Sequence, residues 1–328
     1  MRVGVLGGGS WGTALSAHAV RCGHEVRLWL RDARLAREIR EAARNPDYLP
    51  GVGLPRGIGA TCDLEACVSG AQVVLVVLPS AHCREAYRRL PGLLQPGALL
   101  VSATKGIELD SLLRMSEVAA AEAPGHPLAV LSGPSFALEV AQEQPTAVVV
   151  ASRDASVAET LQRALSSSSF RAYASDDLVG VELAGALKNV IAIAAGIIDG
   201  LGYGSNTVAA LITRGLAEIT RLAVALGGRA DSLAGLAGLG DLVLTCTGGL
   251  SRNRRLGQHL GRGLGLEQAI RETRMVAEGV RTTQAACALA ERAAIEMPIA
   301  AEMRAVLYAG KPPRQAVEDL MLRSLKRE

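Results

Sequence analysis

The first half of the chain alternates short, uninterrupted apolar runs with stretches of helical spacing. Arg2–Leu6 reads as a strand running into Gly7-Gly8-Gly9, Trp11–Cys22 as a helix, His24–Leu30 as a second strand and Asp32–Arg44 as a second helix. Asn45–Gly57 is a Pro- and Gly-rich loop, and Val73–Leu78 is a wholly apolar strand ended by Pro79. Ala98–Ser102, Leu128–Leu131 and Ala147–Val150 are further strands, with helical segments between several of them. Strands apolar on both faces and separated by helices are the pattern of a parallel sheet covered on both sides. Near Asp176 the period changes. Apolar residues then recur at helical spacing through Leu178–Ile198, Val208–Leu226, Ala277–Arg292 and Glu296–Leu307. The expected division is an α/β domain over residues 1–178 and an all-helical domain over 179–328. Ser166–Ser169, just before the boundary, reads as a solvated loop.

Composition narrows the function. Hydrophobic residues are 49% and charged residues 20% of 328, enough for a full core and against global disorder. Lys+Arg number 35 against 32 Asp+Glu, and aromatics are 3%. A net +3 with so few stacking rings argues against nucleic acid as the partner. Mean hydropathy is +0.24, yet the apolar runs Val73–Leu78 and Val190–Ile198 fall well short of the ~20 residues that span a bilayer. Met1-Arg2 leads straight into a short Gly-rich stretch, unlike a secretory signal. The six cysteines make no CxxC pair and no Cys/His metal spacing, so a metal-free, cytoplasmic protein with buried thiols is expected. An Ala- and Gly-rich helical domain leaves a homodimer as the candidate assembly.

Gly7-Gly8-Gly9-Ser10-Trp11-Gly12 fits G-x-G-x-x-G between a strand and a helix. In that setting Gly7 makes the tight turn, Gly9 admits a pyrophosphate to the backbone, and Gly12 lets helix and strand pack closely. The N-terminal domain is therefore read as Rossmann-like and doubly wound. Asp32 at the end of the second strand suits a ribose hydroxyl, whereas Arg31 and Arg34 suit a 2′-phosphate. The arginines lean toward NADP(H), with NAD(H) tolerated. Lys105, in Ser102-Ala103-Thr104-Lys105-Gly106, follows a strand at the ligand-binding edge and is either a bridge to an anionic substrate or a surface lysine. Gly133-Pro134-Ser135 makes a turn after the next strand, where Ser135 either caps the following helix or helps present free N–H groups to a ligand.

The chain holds 31 Arg but only four Lys, so each Lys marks a place where Arg does not serve. Lys188 and Asn189 interrupt an apolar helix, and a buried amine there suits general acid–base work better than a guanidinium would. The alternative is a lysine snorkelling from the helix edge. Ser251-Arg252-Asn253 combines a hydroxyl, a forked guanidinium and an amide near a helix start, a set suited to phosphate. The neighbouring Arg254 and Arg255 also allow a solvated basic face. Glu278 sits near another helix N-terminus, facing a cofactor or serving the helix dipole.

Seven ordered motifs resemble the NAD(P)-dependent glycerol-3-phosphate dehydrogenase family of the bacterial cytosolic kind. They are Gly7–Gly12, Asn45–Gly51, Thr104-Lys105-Gly106, Gly133–Ala137, Leu187-Lys188-Asn189, Ser251–Asn253 and Glu278-Gly279. The resemblance implies reversible oxidation of sn-glycerol 3-phosphate to dihydroxyacetone phosphate, a small phosphorylated three-carbon substrate, feeding phospholipid backbones. It implies NADP(H) or NAD(H) contacts at Ser10, Trp11, Arg31, Arg34, Lys105, Ala137, Arg252, Val276 and Glu278. It also implies substrate contacts at Lys105, Gly133, Ser135, Lys188, Asp241, Ser251, Arg252 and Asn253, with Lys188 as general acid–base. A related two-domain dehydrogenase of β-hydroxy acids or sugar-acid phosphates is the alternative enzyme.

Overall fold

The computed structural model describes residues 1–273 and 277–324. Two compact units emerge. The first comprises Met1–Lys105 and Leu113–Leu178; the second comprises Gly106–Leu112 and the chain from Val179 onward. The short stretch Gly106–Leu112, placed by sequence in the N-terminal domain, thus belongs with the helical unit. Ile107 is its anchor, 2% exposed within the helical core.

The first unit is an eight-stranded sheet: β1 (Arg2–Leu6), β2 (Glu25–Trp29), β3 (Ile58–Thr61), β4 (Val73–Val76), β5 (Leu99–Ser102), β6 (Leu128–Ser132), β7 (Thr146–Ala151) and β8 (Phe170–Ser175). Their order is β3-β2-β1-β4-β5-β6-β7-β8. The chain winds outward from β1 in one direction, then from β4 in the other, so the switch point lies between β1 and β4, where such sheets bind ligands at their carboxyl ends. Every neighbouring pair is parallel except β6 and β7. A parallel sheet was the expectation, and it holds for β1–β6; β7 and β8 pair parallel with each other but run the opposite way. Burial on both faces explains the near-continuous Val and Leu runs. One face packs on helices Ser10–Arg21 and Ala155–Leu165, the other on Leu64–Val68, Cys83–Arg88 and Met115–Glu122. Ser166–Ser169 is the loop joining Ala155–Leu165 to β8.

The second unit is helical and is organised on Leu178–Gly200. This helix has 23 residues and a mean hydropathy of 1.7 over its most apolar window, so by length and composition it could cross a membrane. Counting uninterrupted runs alone overlooked it, because Lys188 and Asn189 divide them. That whole window is buried inside the protein, as suits a core helix. Helix Arg252–Gly261 crosses it at backbone contact. A Cβ on Gly196 would stand 1.9 Å from the Arg254 carbonyl oxygen, and one on Gly257 would stand 2.0 Å from that of Ile193. Gly200 and Gly261 repeat the contact one turn on, each Cβ position 2.5 Å from a carbonyl of the facing helix. Only glycine permits this approach.

Candidate functional site

In the first unit, the carboxyl ends of β1 and β4 meet at the glycine turn. Gly7 has φ +124°, and a Cβ there would lie 2.4 Å from the Val77 carbonyl oxygen. A Cβ on Gly12 would stand 1.9 Å from the Gly7 carbonyl oxygen, whereas around Gly9 no atom of the described residues lies within 4 Å of that position. Tightness at Gly7 and Gly12 with open space at Gly9 is the arrangement that lets a pyrophosphate approach the N-terminus of Ser10–Arg21. Ser10 Oγ donates to the Tyr48 carbonyl at 2.8 Å. Trp11 Nε1 is buried without a hydrogen-bond partner among the described residues, a donor left for a ligand or water. These features fit a dinucleotide.

Beyond β2, Asp32 is the N-cap of Ala33–Ala42, its Oδ1 accepting from Arg34 N at 2.8 Å and Leu35 N at 3.1 Å. Arg34 donates to Asp47, and Arg31 is exposed. At the adjacent ends of β5 and β6, Lys105 Nζ donates to the Gly133 carbonyl at 2.8 Å, and Ser135 Oγ donates to the same oxygen at 2.9 Å. The structure therefore brings Lys105, Gly133 and Ser135 together. It also corrects one expectation: Ser135 does not cap the next helix, because Phe136 is the N-cap of Ala137–Ala141 and no side chain caps it. Ser135 instead turns its hydroxyl back onto its own loop.

In the second unit, Lys188 is 5% exposed in the middle of Leu178–Gly200. Its Nζ lies 2.5 Å from Asp241 Oδ1 and donates to Thr245 Oγ1 at 2.7 Å. Asp241 opens helix Asp241–Thr247 immediately after a π-helical turn, Leu236–Gly240, a local widening often found at functional sites. Thr245 lies one turn further on the same face, and its hydroxyl donates to the Asp241 carbonyl at 2.6 Å. Thr245 was not singled out from sequence; its spacing of four from an already chosen acid was the available signal. Beside it, burial pushes the Cys246 thiol up to about 12, so no thiolate competes for the amine.

Ser251 is the N-cap of Arg252–Gly261, its Oγ accepting from Arg254 N at 3.2 Å. Asn253 Nδ2 donates to Asn189 Oδ1 at 2.9 Å, and Asn253 Oδ1 accepts from Gly279 N at 3.0 Å. This amide bridge ties the start of Glu278–Ala293 to the Lys188 helix. Asn253, expected to touch substrate, thus already uses its amide within the protein. Glu278 is the first residue of its helix; Val276 lies outside the described residues. Arg254 pairs with Asp199 at 3.0 Å. Among the described residues no cluster of three His, Cys, Asp or Glu side chains could hold a metal.

A doubly wound sheet with a glycine turn at its switch point, followed by a helical unit built on a buried lysine, is the architecture of a two-unit nucleotide-binding protein. Residues 2–158 match the model of the N-terminus of NAD-dependent glycerol-3-phosphate dehydrogenase, and 177–318 that of its C-terminus. Curated relatives from Geobacter sulfurreducens and Oleidesulfovibrio alaskensis, both named glycerol-3-phosphate dehydrogenase [NAD(P)+], are each 52% identical over 100% of this chain and over 98% and 100% of theirs. A crystal structure of glycerol-3-phosphate dehydrogenase from Coxiella burnetii, 43% identical, has a TM-score of 0.94 and covers 98% of this chain and 99% of that one. The chain belongs to the NAD-dependent glycerol-3-phosphate dehydrogenase family.

Proposed function

We propose that this protein interconverts sn-glycerol 3-phosphate and dihydroxyacetone phosphate with NADP(H) or NAD(H), supplying glycerol backbones for phospholipids in the cytoplasm. The carrying observation is the buried Lys188–Asp241 pair in a chain of this family. All six cysteines are free, which suits a reducing compartment, though Cys62 is exposed and Cys22 half-buried where buried thiols were expected. The first unit, residues 1–178 apart from Gly106–Leu112, acts as the dinucleotide-binding domain and the remainder as the substrate domain.

Gly7, Gly9, Gly12, Ser10 and Trp11 would hold the cofactor's pyrophosphate end, Arg31 and Arg34 its adenosine ribose, and Ala137, Arg252, Val276 and Glu278 its remaining contacts. Bound nicotinamide supplies and accepts the hydride. Lys188 gives a proton to the carbonyl oxygen as charge grows there, and takes it back in the oxidative direction. Asp241 balances the ammonium and, with Thr245, fixes its direction, so the amine meets the substrate in one orientation. Ser251 and Arg252 bind the phosphate, a forked guanidinium matching it in two places; Asn253 shapes that corner through Asn189 and Gly279. Lys105, Gly133 and Ser135 form the first unit's own polar cluster, which the family resemblance assigns to substrate, with Lys105 also to the cofactor.

Steady-state oxidation of NADPH and NADH with dihydroxyacetone phosphate, against a panel of keto acids, tests the reading. Turnover confined to the three-carbon phosphate is expected. Turnover of keto acids in its place would overturn the reading.

A further inference from the structure

The end of β2 carries two guanidinium groups and two carboxylates: Arg31, Asp32, Arg34 and, from the Asn45–Gly51 loop, Asp47. That loop is strapped to the glycine turn. Asn45 Nδ2 donates to the Gly8 carbonyl at 3.1 Å and to Thr13 Oγ1 at 2.8 Å, while Asn45 Oδ1 accepts from Tyr48 N at 3.1 Å. Ser10 Oγ holds the Tyr48 carbonyl from the other side. Asp47, between Asn45 and Tyr48, is therefore held at a set place, and Arg34 Nη2 donates to it. Arg34 lies only 3.5 Å from Asp32 Oδ2 as well, but Asp32 already caps the helix through its other oxygen.

The chemistry of the two cofactors differs here by one group. A 2′-phosphate carries close to two negative charges and is best met by an open guanidinium fork. Arg34 already gives one arm of that fork to Asp47. A 2′-phosphate must displace this carboxylate and then lie beside it, whereas a 2′-hydroxyl meets neither obstacle.

We infer that Asp47 sets the NADP(H)/NAD(H) discrimination of this protein, by occupying Arg34 and by repelling a 2′-phosphate. This rests on the reading of the first unit as the cofactor-binding domain. Arg31, exposed and without an ion-pair partner among the described residues, remains the cation open to either cofactor. Arg34 and Asp47 are 57% and 41% exposed, so the effect is moderate and salt-dependent.

The test uses the full-length enzyme, comparing kcat/KM for NADPH with that for NADH under saturating dihydroxyacetone phosphate. In Asp47→Asn the NADPH/NADH ratio rises about fivefold at low salt, equivalent to about 1 kcal/mol. The rise shrinks with added salt and again in an Arg34→Ala background. Asp47→Ser removes the same charge should Asp47→Asn fail to fold by circular dichroism. A ratio that stays constant or falls, with both cofactors still turned over, overturns the inference. Failure of the underlying reading looks different: the wild-type protein then quenches with neither NADH nor NADPH in a fluorescence titration, and both fall together.

Discussion

Lys188 and Asp241, 53 residues apart in sequence, meet at 2.5 Å with side chains only 7% and 1% exposed. Removing one member of such a pair leaves a buried charge without its partner, at a typical cost of about 3–5 kcal/mol. Lys188→Met is expected to lower the melting temperature, and adding Asp241→Asn to restore much of it. With Lys188 as the proposed proton donor, the double variant is expected to stay inactive. Equal melting temperatures for wild type and Lys188→Met would show that the pair is not buried as described.

Arg252→Lys keeps the charge at the start of its helix but loses the fork. An ammonium meets phosphate at a point, so KM for dihydroxyacetone phosphate is expected to rise about tenfold or more. Steady-state kinetics read this directly, and an unchanged KM and kcat would remove Arg252 from the phosphate site.

The sequence made some of this legible. The glycine turn, its strand and its helix carry local signals, and β1 and the Lys188 helix fell close to where spacing put them. Other features are set by tertiary contacts. β3 is four residues with a glycine inside, and β8 is an edge strand whose Arg171 and Tyr173 face solvent; neither shows the apolar run of a central strand. The reversal of β7 leaves no trace in its composition, since a Val-rich strand pairs either way. Lys188 was readable because an amine interrupts an apolar face. The contacts of Thr245 with Lys188 and of Asn253 with Asn189 were not, because each spans more than fifty residues.

Gly257 tests how the proposed phosphate corner is held. Its Cβ would stand 2.0 Å from the Ile193 carbonyl oxygen and 2.9 Å from the Gly196 Cα. Gly257→Ala forces the two helices apart, at an expected cost of about 1–3 kcal/mol, and shifts Ser251–Asn253 away from the Lys188 helix. Thermal denaturation and KM should worsen together. Gly249→Ala, where no atom of the described residues lies within 4 Å, serves as the neutral comparison. Equal stability of the two variants would contradict the tight crossing.

Glu218 gives the second unit a pH dependence. Its carboxylate accepts from Ile299 N at 2.9 and 3.1 Å and from Ala300 N at 3.4 Å, closing the start of Pro298–Tyr308. Burial pushes the carboxyl from 4.5 up to about 7, against the opposing pull of those N–H groups, Arg221 and Arg323. Between these values the folded state keeps a proton that the unfolded chain has released. Stability from this group therefore falls as pH rises from about 4.5 to 7, by on the order of 3 kcal/mol, and is level above that. Glu218→Gln lacks this slope, so its melting temperature should gain on the wild type as pH rises through the window. Parallel curves would rule out the raised carboxyl.

The proposed proton donor is the central claim, and pre-steady-state oxidation of NADPH with saturating dihydroxyacetone phosphate isolates it. In Lys188→Met, with cofactor binding confirmed by fluorescence titration, the oxidation phase should slow by about a thousandfold or more. A rate close to the wild type in that variant would contradict the assignment of Lys188.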